Sequence, residues 1–303
     1  MRCHQGTTIM ETFARLDEES GFHLLLTTSK EIVDRMKTFK VRDDDVWVIT
    51  YPKSGTTWMQ EIVSAVCADG DLETINKTSL TERVPFIDCV FPFDKRPPYI
   101  DLEEMTSRRL IKTHFPHQLI PPGVLKQTPK VIYVARNPKD VIVSCFYFFN
   151  GFISEPKLKW DEFFQLFIKD EVPYGSWFNH NLYWWNRRHE AHVLFVTYED
   201  MKKDLSNIVH QVSEFLGHVL NEETVARIVD HCSFSSMKKN PKVNKSEDVM
   251  LDSADSSGKN IQFMRKGIVG EWKTHFTVAQ CEQLDKLYKK RLQGTDLTLD
   301  VFF

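Results

Sequence analysis

The run Val46-Trp-Val-Ile-Thr-Tyr-Pro-Lys-Ser-Gly-Thr-Thr-Trp58 constrains this chain more than any other stretch. Val46 to Ile49 is short, apolar and β-branched, which suits a central strand. Pro52 ends it, because proline has no N–H to give to a ladder. Ser54, Gly55, Thr56 and Thr57 are small, so the backbone there can come close to a ligand. The spacing of Trp58, Ile62, Ala65 and Val66 predicts a helix starting near Thr57. Strand, tight loop and helix gather N–H groups and a positive helix end at one point, a ready anion site. It is not the usual phosphate loop. Lys53 precedes the glycine, and no glycine lies four or five residues upstream.

With 303 residues, 42% of them hydrophobic, the chain can bury a large α/β core. Its net charge of −3, from 39 basic and 42 acidic residues, gives no global basic field and argues against a nucleic-acid partner. An anion site must therefore be built locally. Cys3, Cys67, Cys89, Cys145, Cys232 and Cys281 are scattered singly, without the paired spacing of a metal site. That usage suits a reducing compartment. The N-terminus lacks the apolar core of a signal peptide, and no apolar run reaches the ~18–20 residues of a membrane span. We expect one cytoplasmic domain over residues 1–303, without metal and without membrane contact.

Other stretches add elements in order. Phe22 to Leu26 reads as a strand or a lid, and Lys30 to Phe39 as a helix. Residues 69–106 read as irregular, broken by Pro85, Pro92, Pro97 and Pro98. Phe86, Phe91 and Phe93 among them are either satellite core or an apolar pocket wall. Arg109 to Thr113 is a second strand. Lys112 and His114 stand two apart, so they share one face at its tip. Lys130 to Arg136 is the clearest strand. It ends in an arginine where a nucleoside triphosphatase would place a magnesium-binding acid. An arginine there wants an anion directly. Pro138 and Asp140 suit the start of a helix running through Ser144, Cys145 and Phe148.

Two helices follow in 160–190, whose tryptophans read as core, and Tyr174-Gly-Ser-Trp177 reads as structural. His192 to Thr197 is a fourth strand, closed by Tyr198. Leu205 to Leu216 is an amphipathic helix stopped by Gly217, and Asn221 caps the next. Residues 235–262 are polar and aperiodic, as in a lid, with Ser253 to Gly258 the most mobile. They lead into Phe263-Met264-Arg265-Lys266-Gly267, a compact pair of cations beside a glycine. Thr277 and Gln280 form a capping box before a last helix. Alternating strands and helices imply an α/β fold, a central parallel sheet with helices on both faces and a ligand at the C-terminal strand ends.

Five of these segments, spread over about residues 40–290, resemble the cytosolic sulfotransferase family. They are Tyr51 to Trp58, Lys112-Thr-His114, Arg136-Asn-Pro-Lys-Asp140, Tyr174 to Trp177 and Arg265-Lys-Gly267. The resemblance implies transfer of a sulfuryl group from 3′-phosphoadenosine 5′-phosphosulfate to a hydroxyl or amine of a small hydrophobic acceptor. Phenols, steroids, amines and iodothyronines are the acceptor classes. By that resemblance His114 is the catalytic base, and Lys53 and Lys112 assist at the transferring group. Lys53, Ser54, Gly55, Thr56 and Thr57 hold the 5′ end of the donor. Arg136, Ser144, Arg265, Lys266 and Gly267 take its 3′-phosphate, and Phe263 and Met264 also bind the donor. Trp58 and Phe234 sandwich the adenine, with Tyr198 and Ser233 beside it.

Cys232 stands where the family usually has threonine. Phe86 and Phe148, with Lys112 and His114, line the acceptor side. Cations and in-line positioning would suffice without a metal. Lys273 to Glu282 fits the family's short dimerisation pattern, which implies a homodimer. Two other readings stay open on residues alone: a P-loop-type nucleotide kinase, and a non-catalytic nucleotide- or hormone-binding protein.

Overall fold

A computed structural model of the protein describes residues 14–91, 94–126, 128–152, 157–244 and 263–299. Among the described residues, six strands form two sheets. β1 (Ala14–Asp17) and β2 (Phe22–Leu25) make an antiparallel hairpin, which settles the Phe22–Leu26 alternative as a strand. β3 (Val46–Thr50), β4 (Leu110–Thr113), β5 (Lys130–Ala135) and β6 (Val193–Thr197) form a parallel sheet in the order β4-β3-β5-β6.

β3 sits inside that sheet and is buried along its whole length. Its side chains alternate between two cores. Trp47 and Ile49 join one with Tyr51, Tyr133 and Trp184; Val46 and Val48 join the other with Ile62, Val66 and Val209. A parallel strand buried on both faces reads as continuous apolar sequence, as this one does. At the opposite, N-terminal ends of the strands, Arg109 and Asp45 form a fully buried two-pronged ion pair, with N–O distances of 2.6 and 2.5 Å. The guanidinium also donates to the carbonyls of Leu102 and Lys40, so the buried charge is fully satisfied.

The helices mostly follow the sequence signals. The first helix after β3 spans Thr56–Cys67, Pro138–Phe152 follows β5, and Leu205–Leu216 ends on a left-handed Gly217. The Thr277 capping box opens Val278–Arg291.

Three readings need correction. Residues 69–106 are not irregular throughout: Leu72–Ile75, Leu80–Arg83 and Pro98–Glu104 are short helices, the first two capped by Asp71 and Ser79. The first two precede Pro85 and are single turns, and the third begins at Pro98 and runs seven residues, so no long period betrays them. Second, the start of the 235–262 stretch is helical, because Ser233 caps Phe234–Lys239. Residues 245–262, with Ser253 to Gly258, lie outside the described residues, as does Phe93. Third, the helix that begins at Lys30 ends at Met36, short of Phe39.

Candidate active site

The C-terminal ends of the four parallel strands open into a cavity of about 420 Å³. One strand end after another contributes to its wall: Lys53 after β3, His114 after β4, Arg136 after β5 and Tyr198 after β6.

The turn after β3 is tightly wound. Ser54 N donates to Tyr51 O, and Lys53 has a left-handed backbone, with φ of 66°. A non-glycine residue in that conformation is strained, and strain of this kind collects at functional loops. Gly55 (φ 109°) caps the helix, and Met59 N to Gly55 O is its first backbone bond. The N–H groups of Thr56, Thr57 and Trp58 thus stand at the open end of the ladder, beside the cavity. The ammonium of Lys53 lies over two rings, 4.2 Å from the centre of Phe148 and 4.4 Å from that of Phe263.

His114 is held from below. Its Nδ1 lies 2.8 Å from the carbonyl of Thr50 and 3.1 Å from that residue's hydroxyl, which in turn bonds Thr56 Oγ1 at 2.7 Å. A carbonyl only accepts, so Nδ1 carries the proton and Nε2 is the basic nitrogen. Burial pushes the imidazole well below its ordinary pKa, and Lys112 and Lys53 add to the shift against the Thr50 bond. The ring is therefore neutral at neutral pH. Phe86 and Tyr174 flank it edge-on at 5.1 and 5.6 Å, and Lys112 lies 3.8 Å above Phe86.

Arg136 joins two parts of the wall. Its guanidinium donates to Lys53 O and to Ile268 O, each at 3.1 Å, and lies 4.2 Å over the Tyr198 ring. Its Nε is buried with no hydrogen-bond partner among the described residues. Arg265 and Lys266 both pair with Glu271, the first through both oxygens and the second at 2.8 Å. Burial pushes the Glu271 carboxyl up, but the two cations more than offset it and hold it at about 2. Asp140 does more than greet its own helix end: it accepts N–H bonds from Gly270 at 2.7 Å and Trp272 at 3.0 Å. That acid thereby docks the segment carrying the clamp.

Most residues expected from the sequence meet in this one cavity. Lys53, Gly55, Thr56, Thr57, Trp58, Phe86, Lys112, His114, Arg136, Ser144, Phe148, Tyr198, Phe234 and the 263–267 run line it. Two do not. Ser54 is buried beneath the loop, and the Ser233 hydroxyl is spent on capping, accepting from Ser236 N at 3.2 Å. Cys232 is buried at a helix end, away from the wall.

The structure also adds residues. Tyr174 is wall rather than scaffold; its loop is tied to β2 by Tyr174 N to His23 O (2.8 Å) and to β3 by the Tyr51 hydroxyl donating to Gly175 O (2.9 Å). Leu25, Leu26, Thr27, Phe91, Phe149 and Glu271 line the wall as well. Phe91 resolves the open choice for the proline-rich aromatics in favour of a pocket wall. Glu271 stands six residues past Arg265, a separation that no helical or strand period reveals.

A family model described as the sulfotransferase domain matches residues 43–296. The chain belongs to the sulfotransferase family. Sulfotransferase 1C2 of Rattus norvegicus is 42% identical over 288 residues, covering 93% of this chain and 94% of that one. Sulfotransferase 1E1 of Homo sapiens is 39% identical over 293 residues, covering 95% and 97%. Among solved structures, retinol dehydratase in complex with androsterone and PAP superposes with a TM-score of 0.87 at 26% identity, over 98% and 96% of the two chains. Mouse sulfotransferase SULT7A1 complexed with PAP gives 0.71 at 29% identity, over 93% and 95%.

These findings decide between the open readings in favour of a sulfotransferase and against the kinase and the non-catalytic binder. No helix among the described residues of this sulfotransferase is long and apolar enough to cross a membrane.

Proposed function

We propose that this sulfotransferase moves the sulfuryl group of 3′-phosphoadenosine 5′-phosphosulfate to a hydroxyl or amine of a small hydrophobic acceptor, with His114 as general base. The observation that carries the reading is the state of His114. Its proton is committed to Thr50, its ring is neutral, and its face of the cavity is apolar on one side and cationic on the other. A base in that state can take a proton from an acceptor as it attacks, help worth about 10²–10⁴-fold.

The residues present fit the donor. Arg136 offers a buried guanidinium with an unspent Nε, and Arg265 and Lys266 offer two more cations. Trp58 and Phe234 offer ring faces, and the flatness of the Phe234 face depends on Gly267, where a Cβ would come within 2.3 Å of the ring. The donor supplies the activated sulfuryl group. Lys53 and the N–H groups of Thr56 to Trp58 orient its 5′ end, and Lys112 stands beside the acceptor oxygen or nitrogen. Phe86, Phe148, Tyr174 and Leu25 exclude water from the reacting atoms.

His114→Ala should abolish turnover, with affinity for adenosine 3′,5′-bisphosphate unchanged within a few-fold by calorimetry. Substantial residual transfer at neutral pH would sink the assignment.

The same reading extends to assembly and place. We assign a homodimer to the Lys273–Glu282 segment. Val278 opens the last helix with 76% of its surface exposed, an apolar residue left uncovered by the described residues. Two copies about a two-fold axis would cover it. Such a contact is smaller than the ~1,200 Å² of a standard interface, so one charge at its centre should break it. Val278→Glu should give active monomers by light scattering, and an unchanged dimer in that variant would rule the interface out. The cytoplasm is the compartment this reading assigns, which cell fractionation checks.

A further inference from the structure

The segment before β4 and the tip of β4 meet at a buried acid. Phe86 bridges to Lys112 in parallel, Lys112 N donates to Pro85 O (2.9 Å), and Ile87 N donates to Lys112 O (3.1 Å). Where this short ladder ends, the next N–H of the strand belongs to His114. It goes to a side chain: Asp88 Oδ2 accepts it at 2.7 Å, while Oδ1 accepts the Thr113 hydroxyl at 2.6 Å. Thr113 Oγ1 in turn accepts Phe115 N at 3.0 Å. Asp88 is fully buried and is not itself part of the cavity wall; it reaches the wall through His114. A carboxylate so deep costs much to desolvate, and its bonds to Thr113 and His114 with the nearby Lys112 charge offset only part of the cost.

We infer that Asp88 is a positioning residue for the sulfuryl transfer, its carboxylate gripping the main chain of His114 as Thr50 grips the ring. The inference rests on His114 being the base. Thr50 sets the tautomer and tilt of the ring; Asp88 sets where the ring is hung. Together they leave the imidazole no freedom to drift from the acceptor, and a small misplacement at such a point is costly.

The charged and titratable groups facing Asp88 are Lys112 on β4, Cys89 beside it and the Tyr174 hydroxyl from its loop, while His114, just past β4, meets it through its main-chain N–H. Burial pushes the Asp88 carboxyl up to about 7, against the Thr113 hydroxyl, the His114 N–H and Lys112. His114 itself titrates far lower, so a loss of activity on mild acidification belongs to Asp88. Protonation makes both carboxyl oxygens poorer acceptors and loosens the grip.

The test compares wild type, Asp88→Ala and Asp88→Asn. It uses 3′-phosphoadenosine 5′-phosphosulfate and a phenol that the wild type turns over, with kcat/KM followed across the neutral range. Asp88→Ala should lose about 10²-fold in kcat, with bisphosphate affinity unchanged. Asp88→Asn keeps the shape and one accepting oxygen. It should fall between the two in kcat, and its acid limb near neutral pH should vanish.

A merely structural role would lower the yield of folded protein without removing that limb. Wild-type kcat in the alanine variant, or an acid limb unmoved in the asparagine variant, would overturn the inference. Should the alanine variant not fold, the asparagine profile alone decides. Failure of the wild type to transfer sulfuryl to any acceptor, or full activity in His114→Ala, would instead strike the underlying reading.

Discussion

The cavity has two cationic regions of opposite build. The corner at 51–58 is part of the sheet: the strand before it is fully buried, Ser54 is buried beneath it, and Lys53 is held in a strained backbone between two rings. The 265–271 segment has no strand under it. Lys266 has about half its side chain in solvent (49%), and the two cations are kept paired by Glu271 and docked through Asp140. A site where charge develops during reaction gains from dipoles and cations already in place, because nothing then has to reorganise. A site that only binds a fixed anion can keep its cations satisfied by an internal carboxylate until the ligand arrives. The two differ in rigidity because they differ in task. Arg136 is the hydrogen-bonded link between them, donating to Lys53 O on one side and Ile268 O on the other.

Breaking that link should have the largest effect. Arg136→Ala removes a charged hydrogen-bonding partner worth about 1.5–3 kcal/mol, along with its bonds to Lys53 O and Ile268 O. Calorimetry should show at least a tenfold loss of bisphosphate affinity, and equal affinity would separate the two regions again.

A pair of glycine substitutions sharpens the contrast. At Gly55 (φ 109°) an alanine meets both the left-handed penalty of about 1–2 kcal/mol and Tyr198 at 2.8 Å. At Gly267 (φ 63°) the backbone is left-handed as well, but in the well that L residues can reach, whereas 109° lies outside it, and the clash at Gly267 is with the Phe234 ring at 2.3 Å. Gly55→Ala should therefore lower both melting temperature and nucleotide affinity, and Gly267→Ala chiefly affinity. Equal melting losses in the two would erase the distinction between rigid corner and adaptable clamp.

The smallest effect concerns Glu271. Its folded-state pKa of about 2 lies below the ordinary 4.5, so its pairing contributes fully above that value and fades as pH falls toward 2. Glu271→Gln should lose that acid dependence in melting experiments. It should also bind the bisphosphate as tightly as wild type or a few-fold better, since the cations no longer have a rival anion. Weaker binding in the variant would mean that the carboxylate orients the clamp instead of waiting in it.

Some of this was legible in the chain and some was not. Val46 to Ile49 and Lys130 to Ala135 were readable because a parallel strand buried on both faces leaves an unbroken apolar run, and Pro52 and Pro138 marked their exits. The shared face of Lys112 and His114 followed from the two-residue period of a strand. Thr277 and Gln280 announced a helix start by hydroxyl and amide chemistry that needs only four neighbouring residues.

The helices at 72–75 and 80–83 escaped because one turn is too short to show a period. Tyr174 read as scaffold because nothing local says that its loop folds back on β2 and β3. The role of Glu271 depends on the left-handed turn at Gly270 (φ 83°), which brings an acid against cations five and six residues away.

Sequence alone thus determined whatever depends on short-range periodicity and on which groups can donate or accept: the strands, the strand–loop–helix corner and the cationic residues at strand ends. Tertiary structure decided which charges are paired, which ring nitrogen of His114 is basic and which buried acid holds it. Those depend on the distance from Thr50 to His114, set by strands 64 residues apart in the chain and adjacent only in the sheet, and on the distance from Asp88 to His114, set by a loop 26 residues earlier.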